Sequence, residues 1–153
     1  MKTVIFDLDG TLADITHRLH HIAPPNKDWH AFHEGCINDA PKHNIIELFR
    51  CMSAFHRTIV VSGRSDAVRK QTEDWLFLNA MWPMELIMRP AGDYTPDQEL
   101  KRSWLRDGRL GNKDDILFCV DDRQRVVDMW REEGLTCLQV DAWKEVIKEG
   151  FSG

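Results

Sequence analysis

Val4-Ile5-Phe6-Asp7-Leu8-Asp9-Gly10-Thr11-Leu12 decides how this chain is read. An apolar run delivers a pair of carboxylates separated by one residue, and Gly-Thr follows. Thr3 to Phe6 is β-branched and aromatic and too short for a helical period, so it reads as a buried strand. Alternation along an extended chain would put Asp7 and Asp9 on the same side. Gly10 permits a sharp turn directly afterwards. Paired acids at the carboxyl end of a strand stand where open α/β sheets place their sites. Such a pair can hold a divalent metal, or divide the roles of nucleophile and acid/base. A strand running into a solvated acidic turn would be the plainer account of a lone D-x-D. The hydrophobic lead-in and the Gly-Thr tail weigh against it.

Working outward, 153 residues suit one domain with a sizeable core, expected to span 1–153. A hydrophobic content of 42% with 29% charged residues is ordinary for a globular protein. No apolar run approaches a membrane span, and Met1 leads into the first strand at once, so no signal peptide and a cytoplasmic location are expected. The four cysteines show no C-x-x-C spacing, and Cys119 and Cys137 lie in apolar runs, so both read as reduced core residues. A net charge of −5 does not advertise nucleic-acid binding, but a local basic groove remains compatible with it.

Residues 13–40 are irregular and hold His17, His20, His21, His30 and His33 with Pro24-Pro25 and Trp29. The H-x-x-H spacings could suggest zinc, but no cysteine stands at ligand spacing, and ordinary polar residues are the better account. An insert over the end of the first strand, forming part of a substrate mouth, is expected here. Asn38-Asp39-Ala40-Pro41 has the form of a helix start, with Ile45, Leu48, Phe49, Met52 and Phe55 following at helical spacing as core. Arg57 to Val61 is a second strand, ending in Ser62-Gly63-Arg64-Ser65 before a polar helix to about Leu78. Amide groups at that helix start would make an anion site.

Met84 to Met88 is a third strand, and Thr95-Pro96-Asp97-Gln98 has the form of a capping box for a helix stopping near Gly108. Taken alone, Lys101 on that helix is a solvated lysine. Asp115 to Val120 is a fourth strand, ending in Asp121-Asp122, where Asp122 can cap a helix from Arg123 to about Glu133. Thr136 to Val140 is a fifth strand, and Asp141 opens a short helix to Gly150. The β/α alternation predicts a parallel α/β sheet with right-handed crossovers.

Four landmarks stand in order: Asp7-x-Asp9, Ser62-Gly63-Arg64, Lys101 and Asp121-Asp122. The layout resembles the four motifs of the haloacid-dehalogenase-like (HAD) phosphohydrolases. That resemblance implies a five-stranded parallel sheet in the order 3-2-1-4-5, counting strands along the chain, with helices on both faces and a small insert after strand 1. A closer similarity lies in Ile59 to Arg64, in Val120 to Arg131, and in Gly134 with Cys137 to Val140. These are similar to the 3′-phosphatase domain of the phage polynucleotide kinase–phosphatase family. In that family an arginine follows the first aspartate at the position of Arg18, and an aspartate precedes the lysine at the position of Asp97. The chain has no G-x-x-x-x-G-K-[ST], so the phosphate loop of a kinase half is missing. Residues 19–40 also depart from the family in length and content.

The resemblance implies phosphomonoester hydrolysis through an aspartyl-phosphate, with Asp7 as nucleophile and Asp9 as acid and then base. It implies Mg²⁺ on Asp7, on the backbone carbonyl of Asp9 and on one acid of Asp121-Asp122, with Asp122 favoured and Asp121 behind it. Ser62, Gly63 and Lys101 would hold phosphoryl oxygens. Arg18 and Arg64 would reach the phosphate or the substrate backbone, and Asp97 would orient one of these cations. Metal and Lys101 together should keep Asp7 ionised. The implied substrate is a DNA or RNA 3′-phosphate end, handled beside a possible separate kinase or ligase. The alternative enzyme is a small-molecule HAD phosphatase such as a 5′- or 3′-nucleotidase. A non-catalytic phosphate-binding module has no need of the nucleophile. Trp75, Trp104 and Trp130 read as helix core, and Trp29 is the candidate for base stacking.

Overall fold

The computed structural model describes residues 1–141. In chain order the elements are β1 (Thr3–Phe6), β2 (Ala13–Asp14), α1 (Trp29–Glu34), β3 (Ala40–Pro41), α2 (His43–Ser53), β4 (Arg57–Ser65), α3 (Arg69–Leu78), β5 (Glu85–Arg89), α4 (Asp97–Arg106), β6 (Ile116–Asp121), α5 (Gln124–Glu132) and β7 (Cys137–Gln139). Segments of 3-10 helix lie at Thr16–Ile22, Gly35–Asn38, Asp66–Val68 and Lys113–Asp115. The helix expected from Asp141 to Gly150 lies outside the described residues.

Five strands form one sheet in the order β5-β4-β1-β6-β7, and every pairing in it is parallel. Counted along the chain without the two short strands β2 and β3, this is the expected 3-2-1-4-5. β1 is central because all four of its residues can be buried on both faces. Apart from a register shift at the start of β6, the strands alternate between two cores. Val4, Phe6, Val60, Leu86, Met88 and Val120 face one cluster, which includes Phe49 of α2 and Trp75 of α3. Ile5, Ile59, Val61, Ile87, Cys119 and Cys137 face the other, with Leu105 of α4 and Val127 and Trp130 of α5. Helices therefore cover both faces, as parallel crossovers require. The strand order reverses about β1, so the carboxyl ends of β4, β1 and β6 lie side by side at the crevice such a sheet leaves for ligands.

Several sequence expectations are corrected at the element boundaries. Helix α2 starts at His43 and not near Asn38, because Ala40–Pro41 pairs antiparallel with Ala13–Asp14. Its apolar stripe buries Ile46 and Phe49, while Phe55 lies beyond the helix end and is 78% exposed. Residues Thr95 to Gln98 make no side-chain cap. The cap position of α4 is Pro96, and the Thr95 hydroxyl is donated to Asp93 Oδ1 at 2.6 Å. Nor does Asp122 cap α5, whose cap position is Arg123. Trp75 and Trp130 are buried, and Trp104 packs half-buried against the second cluster. Cys119 and Cys137 are free buried thiols, as expected.

Phe49 meets Phe6 edge to face at 5.1 Å and so fixes α2 to the central strand. Phe49→Ala should cost about 3–5 kcal/mol in urea denaturation. Phe55→Ser should stay within about 0.5 kcal/mol of wild type.

Candidate active site

β1 ends at Phe6, so the alternation of an extended strand does not reach Asp9. The chain instead turns over Gly10, whose φ is +81°, with Gly10 N–H donating to the Ala13 carbonyl at 2.8 Å. A Cβ at Gly10 would stand 2.1 Å from Asp122 Oδ2, so this turn packs directly against the end of β6. Asp7 and Asp9 are thereby delivered to two separate groups of charges.

The first group surrounds Lys101, which is wholly buried. Its ammonium donates to Asp7 Oδ1 at 2.8 Å and to Asp121 Oδ2 at 3.1 Å, and lies 3.5 Å from Asp97 Oδ2. The solvated-lysine reading fails here, because α4 carries this side chain inward against β1 and β6. Asp121 is held on both oxygens. Its Oδ1 accepts the backbone amides of Asp122 and Arg123 at 2.9 and 3.3 Å, and its Oδ2 also accepts Trp130 Nε1 at 3.4 Å. The Thr11 hydroxyl lies 3.1 Å from Asp7 Oδ2 and 3.2 Å from Asp122 Oδ1, and its one proton can serve one of them at a time. Asp7, Asp121 and Asp122 each present an oxygen within 4.8 Å of the others.

Three carboxylates crowd one ammonium here. Burial, followed by the charge of Asp121, pushes the Asp7 carboxyl above its ordinary range although Lys101 pulls the other way. Burial and the charges of Asp7 and Asp121 push Asp122 well up. Lys101 alone therefore does not offset the burial and the neighbouring acid charge at Asp7. The donors are oxygen throughout and their negative charge is under-compensated, which fits a hard divalent cation such as Mg²⁺.

The second group is balanced. Asp9 Oδ1 accepts Arg18 Nη2 at 3.0 Å and also Arg64 Nη2. Arg18 and Arg64 are both fully buried and share a second acid, Asp39. Arg18 Nε and Nη2 reach it at 2.7 and 2.9 Å, and Arg64 Nη2 at 3.1 Å. Burial of Asp9 would raise its pKa, but the guanidiniums of Arg64 and Arg18 outweigh it and hold the carboxyl well below the usual range.

A scan of protein families matches residues 1–143 to the polynucleotide kinase (PNKP) phosphatase domain. The chain belongs to that family of phosphatase domains. It is thus a phosphomonoester hydrolase of the HAD type. Two solved structures are similar over most of its length. One, a Pnkp1/Rnl/Hen1 complex, is 31% identical with a TM-score of 0.80, over 94% of this chain and 47% of that one. The other, a Pnkp1/Rnl/Hen1 RNA repair complex, is 30% identical with a TM-score of 0.79, over 93% and 43%. The chain thus spans about half the length of those it matches. A haloacid dehalogenase-like hydrolase from Streptococcus pneumoniae shares the fold, at 12% identity and a TM-score of 0.65 over 98% of this chain and 90% of its own.

Within the family frame, Asp7, Asp97, Lys101, Asp121 and Asp122 come together at one point, and Asp9, Arg18 and Arg64 at the adjoining one. Ser62 is buried, and its Oγ accepts the Arg64 amide at 3.0 Å, which leaves its own proton free to donate. The anion site expected at a helix start is corrected: β4 continues through Ser62-Gly63-Arg64 to Ser65, and α3 begins only at Arg69. The Gly63 carbonyl accepts Arg89 Nε at 2.7 Å. Asp97 also lies 4.0 Å from both Arg89 and Arg123.

Sequence reasoning missed Asp39, assigning it to a helix cap. Its partners lie 21 and 25 residues away, so no local spacing marks it as the acid between two arginines. Its carbonyl also accepts Trp75 Nε1 at 2.8 Å. Among the described residues, the group suited to a metal contains no histidine, and no helix is long and apolar enough to cross a membrane.

Asp39→Ala should leave buried guanidinium charge under-compensated and cost about 3–5 kcal/mol in urea denaturation. Asp39→Asn, which keeps the shape, should cost less. His33 gives a pH signature. Burial, reinforced by Arg18, Arg64 and Arg89 against the pull of Asp9, lowers its pKa from 6.5 to about 4. The unfolded chain then binds a proton that the folded one refuses, so this group's stabilising effect is present above pH 6.5 and is lost as pH falls toward 4. The drop in melting temperature between neutral and acid pH should be smaller in His33→Gln than in wild type, and an equal drop would remove His33 as its source.

Proposed function

We propose that this chain is one phosphatase domain that removes the 3′-phosphate from RNA ends and leaves a 3′-hydroxyl for sealing. The observation that carries the reading is the position of Asp7, with Lys101 on one oxygen, Thr11 near the other and Asp122 alongside. Asp7 attacks phosphorus, an Asp7 oxygen–phosphorus bond forms, and the bond from phosphorus to the 3′-oxygen breaks. Asp9 gives that oxygen its proton. Asp9 then takes a proton from the water that attacks the aspartyl-phosphate, and Asp7 is released with inorganic phosphate.

Asp9 rests as a carboxylate between two guanidiniums, so it must gain a proton when substrate arrives. The incoming phosphate engages part of the field of Arg18 and Arg64, which raises the Asp9 pKa, and a phosphate monoanion brings the proton. The Ser62 hydroxyl and the Gly63 segment donate to phosphoryl oxygens, and Lys101 balances the charge that builds there. Asp97 orients Lys101. Mg²⁺ would be held by Asp7, the Asp9 carbonyl and Asp122, with Asp121 too fully bonded to release an oxygen. When bound it supplies positive charge to the phosphoryl oxygens and aligns them for displacement. Residues 13–40 form a small insert at the substrate mouth.

The RNA repair complex that holds the relative at 30% identity favours RNA over DNA and a separate kinase or ligase as companions. The reading is tested by phosphate release with Mg²⁺ from a 3′-phosphorylated RNA strand, set beside 3′- and 5′-mononucleotides and a 5′-phosphorylated strand. The 3′-phosphorylated strand should be preferred, and its binding should weaken with salt. Equal or better turnover of mononucleotides would replace this reading with a nucleotidase. Asp7→Asn should stay folded and lose turnover altogether. Substantial activity remaining would exclude Asp7 as the nucleophile.

A further inference from the structure

Beside the Asp9 group lies a cleft of about 310 Å³ that the chemistry above does not use. Trp29 and His33 of α1 line it, together with Gly63 and with Arg89 and Tyr94 from β5 and the loop after it. Gly63 stands between Ser62 and Arg64, so one wall of the cleft is the segment assigned to the phosphate. A volume at the small end of ligand pockets suits one nucleoside and not a length of strand.

Trp29 is packed in place before any ligand arrives, and the loop that carries Tyr94 is ordered. Trp29 packs edge to face on Phe32 at 5.6 Å and lies 6.1 Å from His33. Tyr94 is 92% exposed, yet its loop is tied down. Arg89 Nη1 donates to the carbonyls of Asp93 and Thr95 at 3.1 and 2.5 Å, and Asp93 Oδ1 accepts the Thr95 amide at 2.9 Å. An exposed ring on a pre-ordered loop loses little freedom on binding.

We propose that this cleft receives the terminal nucleobase of the strand whose 3′-phosphate enters at Asp7, stacked on Trp29 and Tyr94. The inference rests on the polynucleotide reading above. A phosphate on the sugar of that nucleotide would reach the Ser62–Arg64 segment while its base lies on the far side of Gly63. Stacking tolerates any base, because every base has a π-face. The cleft therefore rewards the presence of a terminal base and not its identity.

The test compares kcat/KM on two 3′-phosphorylated RNA strands, one ending in an ordinary nucleotide and one in an abasic sugar. Wild type should favour the base-bearing end roughly ten-fold or more. That ratio should fall to within about two-fold in Trp29→Ala and in Tyr94→Ala, and Trp29→Phe should restore most of it. Tyr94 is exposed enough that its replacement leaves the fold intact. A wild-type ratio near one, or a ratio that neither alanine variant changes, overturns the cleft while leaving the phosphatase reading standing. No turnover of either strand by wild type would overturn both.

Discussion

A buried ammonium needs acid around it, and buried acids need more positive charge than one ammonium supplies. Lys101 sits within 3.5 Å of Asp7, Asp97 and Asp121, and none of the four is open to solvent. The arrangement ties α4 to the ends of β1 and β6, so the fold and the site share one electrostatic constraint. Asp121 meets its needs within the protein, through Lys101, two backbone amides and Trp130. Asp7 and Asp122 do not, and their carboxyls are pushed up by burial and by neighbouring acids. The proposed cation would supply the positive charge that these two acids lack, and Asp7, the proposed nucleophile, is one of them.

The neighbouring group solves the opposite problem. Two arginines and two acids neutralise each other in a dry interior, with Asp39 bonded to both arginines and Asp9 bonded to the same pair. Asp9 is the more exposed of the two acids, so in the proposed reaction Asp39 goes on holding both arginines while a phosphate competes for them. Breaking such a pair from one side is costly, because the remaining charge stays buried. Asp39 is therefore a fixed anchor, and Asp9 is the acid whose environment a substrate can alter.

What could be read from the sequence follows from how local each signal is. The apolar lead-in to Asp7 and the acid pair that ends β6 are written into a few consecutive residues, so the strands and these acids were legible locally, whereas the sheet order and the places of Arg18, Arg64 and Asp97 came only with the family resemblance. Lys101 was legible only through family resemblance, because nothing in its own helix separates a buried lysine from a solvated one. Asp39 was not legible at all: its role is set by Arg18 and Arg64, which arrive from other elements. The starts of α2, α3 and α4 were misplaced for a related reason. Asn38 ends a 3-10 turn that leads into the Ala40–Pro41 pairing, the Ser62–Ser65 segment extends β4, and Thr95 is drawn into an Asp93 turn.

The insert divides along the same line. Its two ends carry Arg18 and Asp39, which close on Asp9 and Arg64 and so fix where the segment leaves the sheet and where it returns. Between them Phe32 belongs to the same group: it is buried, its carbonyl accepts Arg18 Nη1 at 3.1 Å, and its ring lies 4.3 Å from the Arg18 guanidinium. Trp29 and His33 pack on Phe32 and line the cleft. Residues 23–28 are exposed, and their content can change without disturbing a buried charge. Under the proposal for the cleft, a change in the part of the insert that lines it alters what is recognised while leaving intact how phosphate is removed.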